Sequence, residues 1–140
     1  MICSGALFLA QDTQRFLFLH RTQGKHSNVW GLVGGNNEVG ETPWKACKRE
    51  IIEEIGLVDI SKTVPLERFC SQDNLFEYHT YVCLVKQEFM PTLNHEHDGY
   101  AWVEYSKWPR PLHYGVKSTL MKKINKTKLT TICKVCINFR

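Results

Sequence analysis

The chain has 140 residues, 43% apolar and 23% charged, with nine Gly and five Pro; this excludes disordered and collagen-like chains and fits one globular domain over residues 1–140. At this length a chain typically buries about 70% of its unfolded surface, so a core needs neither disulfides nor a metal to hold it. The formal charge of +4 is uneven: residues 1–104 carry all fourteen acidic and nine basic residues, net −5, and residues 105–140 carry nine basic residues and no acid.

In chain order, the apolar runs at 2–10 and 16–20 flank the polar 11–14 and read as neighbouring strands. The first run is about half the length of a membrane span and has no basic flank, so it reads neither as a span nor as a secretory leader. Six cysteines scattered at 3, 47, 70, 83, 133 and 136 do not make a disulfide framework, and a reduced, cytoplasmic protein without a membrane partner is expected. Residues 21–41 are polar and rich in Gly and Asn, which predicts a loop. Thr42 as N-cap, Pro43 in the first turn and Gly56 as a stop predict a helix between them. Residues 63–70 and 75–86 read as a hairpin, Tyr100–Tyr105 as a strand, Tyr114–Lys126 as a second helix and 129–137 as a last strand. This order predicts an α/β fold, a mixed sheet with helices packed on it.

On the first helix, at 100° per residue, Glu53 and Glu54 lie at about 300° and about 40° from Glu50. Trp44, Cys47, Ile51 and Ile55 fall on the flank beside them, at about 60° to 140°. The helix thus buries one flank and presents three carboxylates along the neighbouring edge. Like charges at this spacing repel, and a hard divalent cation with oxygen ligands offsets the repulsion; Mg2+ commonly uses a few carboxylates together with substrate phosphates. Gly34 and Gly35 let the preceding backbone approach an ion or a phosphate closely, Glu41 stands at the helix entrance, and Arg49 can pair with Glu53.

Gly35, Glu41 and the run Arg49-Glu50-Ile51-Ile52-Glu53-Glu54-Ile55-Gly56-Leu57 resemble a complete Nudix box, Gly-x5-Glu-x7-Arg-Glu-U-x-Glu-Glu-x-Gly-U with U aliphatic. The resemblance implies an α/β/α sandwich with a mixed β-sheet and hydrolysis of a nucleoside diphosphate linked to another moiety. It implies metal ligation by Glu50, Glu53, Glu54 and the Gly35 carbonyl, with Arg49 and Glu41 in support. Many members carry Pro before the Gly pair, where this chain has Val33. Water activated by Mg2+, with Mn2+ as substitute, suits such a polyanionic substrate.

Outside the box, Glu96 lies six residues before Trp102 and resembles a catalytic or metal-binding Glu of several Nudix enzymes. His97 is the competing base, in the position that resembles the branch hydrolysing GDP-sugars. Arg21, Trp30, Tyr78 and His97 are expected to face a small nucleotide: ADP-ribose, a dinucleoside polyphosphate, FAD or a nucleoside triphosphate. Cys133 and Cys136 supply half a zinc site at most and are expected to pack. The alternative is an RNA 5′-end processing (decapping-type) or RNA-binding Nudix protein using the basic C-terminal segment; only weak nucleic-acid binding is expected of that segment. A monomer and a homodimer both fit the sequence.

Overall fold

The computed structural model describes residues 1–137. Strands β1 (Ile2–Ala10) and β2 (Arg15–Arg21) are apolar at successive positions because the sheet is covered on both faces. Ala6, Phe8, Ala10, Leu17 and Leu19 pack on one side against Cys47, Ile51 and Ile55 of α1 (Pro43–Ile55). Leu7, Leu9, Phe16 and Phe18 pack on the other against Val116 and Leu120 of α2 (Tyr114–Met121) and Leu129 and Cys136 of α3 (Lys123–Ile137). This is the expected α/β/α sandwich.

β1 runs parallel to β6 (Glu77–Val85) along its whole length, and β5 (Lys62–Cys70) lies antiparallel outside β6. β1 meets β2 only at Leu9↔Phe16. The rest of that seam is taken by β3 (Val29–Gly31) against β2 and β4 (Val33–Asn36) against β1. β7 (His97–Glu104) pairs with β2 from Arg15↔Glu104 to Arg21↔His97.

Four expectations need correction. The loop expected at 21–41 contains β3 and β4, because the β1–β2 seam leaves strand edges for them to satisfy. The strand expected at 100–105 runs instead from His97 to Glu104. The helix expected at 114–126 ends at Met121, since Lys122 is extended at φ −68° and ψ 132°. The strand expected at 129–137 is the body of α3: Asn125, Leu129, Ile132 and Cys136 recur at helical spacing, and packing on Leu66, Val82 and Leu84 overrides the β-branched composition.

Two local devices position the site. The Thr42 hydroxyl accepts the Lys45 N–H at 3.2 Å and Gly56, at φ 88°, closes α1. Between β6 and β7 the chain crosses the end of α1. The Trp102 indole N–H donates to the Phe89 carbonyl at 3.1 Å, the Phe89 ring meets Phe8 and Trp102 edge-on, and the Thr92 N–H donates to the Ile55 carbonyl. Residues 94–97 are thereby held beside the carboxylates of α1. Among the described residues no helix is long and apolar enough to cross a membrane.

Candidate active site

Arg49 organises the entrance. Its Nε donates to Glu41 Oε2 at 2.9 Å and its Nη2 to Glu41 Oε1 at 3.0 Å and to the Asn36 carbonyl at 2.9 Å. Its Nη1 reaches Glu50 at 3.0 Å and Glu53 at 3.3 Å. The paired guanidinium holds the Glu41 carboxyl below its ordinary range, helped by the Glu38 N–H that donates to it at 2.7 Å. Glu53 is half exposed, and its backbone carbonyl accepts from the Asn94 amide at 3.3 Å.

The glycines serve close approach. A Cβ on Gly35 would lie 2.6 Å from the Glu50 carboxyl carbon, and one on Gly34 would collide with the Ser4 carbonyl of β1. With no side chain in the way, β4 lies flush between β1 and α1, and the Gly34 N–H donates to Glu54 Oε1 at 2.7 Å.

Glu54 is 3% exposed. Burial pushes its carboxyl up to about 8; the Gly34 N–H works against the shift, and the neighbouring charges of Glu50 and Glu96 add to it. Burial likewise raises Glu50, more than Arg49 lowers it. One ligand atom each of Glu54, Glu96 and His97 lies within 4.8 Å of the other two. The Glu96 N–H donates to the Asn94 side chain at 3.0 Å and its carbonyl accepts from the Thr22 N–H and hydroxyl, which fixes this loop to the end of β2.

His97 reaches this group through a bulge. Trp102 of β7 faces α1 and Val103 faces away, so strict alternation would turn His97 away from α1. The pairing steps from His20↔Gly99 to Arg21↔His97, and the one-residue irregularity at Asp98 returns His97 to the α1 side. Its Nε2 stands 3.6 Å from Glu54 Oε2. Burial, with Arg21 nearby, keeps the ring below its ordinary pKa and so neutral.

The structure thus brings together Arg49, Glu41, Glu50, Gly35, Glu54, Glu96, His97 and Arg21. Trp30 and Tyr78 sit differently. Trp30 is half-buried on the α2–α3 side, its ring 5.0 Å from that of His20. The Tyr78 hydroxyl packs over Gly5, where burial raises it. Cys133 and Cys136 pack along α3 in the second core cluster, as expected. The buried contact between Glu54 and His97 has no local signal in the sequence, because it joins positions 43 apart through a bulge.

Carboxylates gathered beneath a glycine-lined strand, on the face of an α/β/α sandwich, offer the hard oxygen donors that suit a divalent cation. The NUDIX domain model matches residues 2–123, and the chain belongs to that family. It is 32% identical over 114 residues to the dihydroneopterin triphosphate diphosphatase of Haemophilus influenzae, spanning 69% of this chain and 70% of that protein. It is 29% identical to the Escherichia coli protein of the same name, over 68% of this chain and 72% of the relative. The fold is shared with the RenU Nudix hydrolase of M. smegmatis (TM-score 0.73, 22% identity, 91% of this chain and 85% of that one). It is also shared with the MutT NUDIX hydrolase of Burkholderia pseudomallei (TM-score 0.67, 23% identity, 87% and 96%).

Proposed function

We propose that this protein is a divalent-metal-dependent hydrolase that cleaves the pyrophosphate bond of a small nucleotide, with water as the nucleophile. The observation that carries the reading is the convergence of Glu54, Glu96 and His97 within 4.8 Å, beside Glu50 and Gly35. Hard oxygen donors in that number suit Mg2+, with Mn2+ as substitute. Glu50, Glu53, Glu54, Glu96 and the Gly35 carbonyl are the groups we assign to the metal. A divalent ion bound there supplies charge neutralisation of the phosphates and a water of lowered pKa. Glu96, whose backbone is pinned to Thr22, takes the proton from the attacking water. Arg49 holds Glu50, Glu53 and the β4 backbone in register, with Glu41 fixing it from the other side. Arg21, the register partner of His97 across β2 and β7, is assigned to the phosphate chain. Trp30, on the α2–α3 side, and Tyr78, buried over Gly5, are left out of this assignment.

Among the substrate classes open to this site, a triphosphate on a nucleoside or pterin is favoured. It is supported by similarity to a relative named for a pterin triphosphate. The RNA reading is weaker, because two of the C-terminal lysines already serve the fold: Lys122 donates to Glu67 at 2.7 Å and Lys128 to the Leu66 carbonyl at 2.9 Å.

The test is a panel of nucleoside triphosphates, dihydroneopterin triphosphate, ADP-ribose, a dinucleoside tetraphosphate and FAD, assayed with Mg2+ in ¹⁸O-labelled water. The expected result is release of pyrophosphate or phosphate, label on a phosphate oxygen, and loss of turnover on chelation. Label on a sugar carbon, or turnover indifferent to chelation, would overturn the reading.

A further inference from the structure

We propose that His97 is a nitrogen ligand to the divalent ion held by Glu54 and Glu96, and that the site therefore binds first-row transition ions, relative to Mg2+, more tightly than an all-oxygen site would. The inference rests on the reading above that these carboxylates hold a metal.

Three observations carry it. His97 is 7% exposed, and its Nδ1 is buried with no hydrogen-bond partner. Its Nε2 is 3.6 Å from Glu54 Oε2, too long for a hydrogen bond. A buried imidazole with neither nitrogen hydrogen-bonded is uncommon, since buried polar groups nearly always find partners. The bulge at Asp98 is the second observation: it spends one register position of an otherwise regular β2–β7 ladder to bring this ring to the α1 face. The third is that the ligand atom of His97 lies within 4.8 Å of both the Glu54 and the Glu96 carboxylate oxygens, close enough for one ion to be shared by all three.

The donor set then decides the ion. Mg2+ demands oxygen ligands in near-ideal octahedral geometry and keeps several waters, so an imidazole adds little for it. An imidazole nitrogen is a borderline donor that raises affinity along the transition series, with Mn2+ at its weak end and Co2+ higher. A carboxylate pair with one imidazole therefore separates Co2+ and Mn2+ from Mg2+ more than an all-oxygen site would.

The test uses the whole protein and reads metal binding directly. In the Mn2+-loaded wild type, pulsed electron paramagnetic resonance is expected to show a directly bound ¹⁴N nucleus that converts to the ¹⁵N pattern when only histidine is ¹⁵N-labelled. In His97→Gln that coupling is expected to vanish. Replacing even an outer-sphere partner costs about 10–100-fold in metal affinity, so the variant is expected to bind Co2+ at least about tenfold more weakly, with Mg2+ affinity changed much less. A wild-type spectrum without histidine nitrogen coupling overturns the proposal, as does a variant that loses Mg2+ and Co2+ affinity equally. If His97→Gln does not fold, the labelled wild-type spectrum alone decides. Failure of the underlying reading looks different: the wild type would then bind none of the three ions, and Glu54→Gln would keep its turnover.

Discussion

The Arg49 guanidinium grips the Glu41 carboxylate at two points, Nε to Oε2 at 2.9 Å and Nη2 to Oε1 at 3.0 Å, eight positions apart along the chain. Glu41 precedes the helix and Arg49 lies in its middle turn, so this fork ties the loop after β4 to α1. The same guanidinium also holds the Asn36 carbonyl and the Glu50 and Glu53 carboxylates. Five donors in a rigid plane allow one side chain to fix four groups, and an ammonium cannot reproduce that.

Arg49→Lys is therefore expected to behave as a severe substitution. It keeps the charge and loses the fork, letting Glu50 and β4 shift relative to each other. Misplacement of about 1 Å near a reacting centre costs roughly a hundredfold in rate. We expect kcat to fall by about that factor, with a small drop in melting temperature. Glu41→Gln, which preserves one acceptor, should lose less. Steady-state kinetics with circular dichroism melts check both, and a Lys variant with kcat within about threefold of the wild type would refute the positioning role.

Glu54 sets activity against stability. Its carboxyl titrates near 8 in the folded chain against an ordinary value of 4.5, and each unit corresponds to about 1.4 kcal/mol. A raised carboxylate pKa means the unfolded chain gives up its proton first. The metal-free fold thus loses stability as pH rises from about 4.5 and stops losing it above about 8. His97 works with the opposite sign: its depressed value removes stability as pH falls below the ordinary 6.5. Glu54→Gln keeps an acceptor for the Gly34 N–H and discards the charge. Under chelation at pH 8 it should melt at least about 4 °C above the wild type, with the acid-side decline and the loss on raising pH that Glu50 contributes remaining. Its kcat should fall by roughly two to three orders of magnitude. A variant no more stable than the wild type at pH 8 would contradict the buried charge.

Why some of this was legible in the sequence and some was not follows from where each signal lies. α1 was readable end to end, because its cap, its proline, its apolar flank and its carboxylate edge are all local. β1 and β2 were readable as two apolar runs; that Phe8 and Phe16 take opposite faces was not, because a continuous run carries no alternation. β3 and β4 were not: Val-Trp-Gly and Val-Gly-Gly-Asn have no strand pattern of their own and pair only because β1 and β2 part after Leu9 and Phe16. In α3, Leu-Thr-Thr-Ile-Cys-Lys-Val reads as a strand by composition, yet Leu129, Ile132 and Cys136 pack along one helical face. At the site, Glu50, Glu54, Arg49 and Gly35 follow from a single motif, and Glu96 from its distance to Trp102. The placing of His97 against Glu54 depends on a bulge at Asp98-Gly99; a Gly inside a strand is a general bulge signal but does not tell which face His97 takes.

The junction of α2 and α3 separates the lysines that hold the fold from those free to meet a polyanion. Glu67 on β5 accepts from the Thr119 hydroxyl at 3.0 Å, the Lys122 ammonium at 2.7 Å and the Asn125 amide at 3.0 Å, and Asn125 is 1% exposed. Burial alone would raise the Glu67 carboxyl, but these three donors outweigh it and hold it below its ordinary range. The stability it contributes is present above the ordinary carboxylate pKa and is lost as pH falls through the lower folded value. Glu67→Ala removes the shared acceptor and leaves the buried Asn125 amide only its bond to the Thr119 carbonyl at 2.9 Å; it should cost about 1–3 kcal/mol, with turnover per folded molecule unchanged. Lys122→Gln should cost less in the same direction. Lys123 and Lys126 are exposed, so Lys123→Gln with Lys126→Gln should leave the melting temperature alone. The wild type should bind single-stranded RNA weakly, with affinity falling by a log–log slope of roughly −0.7 in salt for each phosphate contacted, and this double variant should flatten that slope. Loss of small-nucleotide turnover in the double variant, with its fold intact, would show that the α3 lysines reach the active site; tight RNA binding that the double variant abolishes would restore the RNA-processing reading.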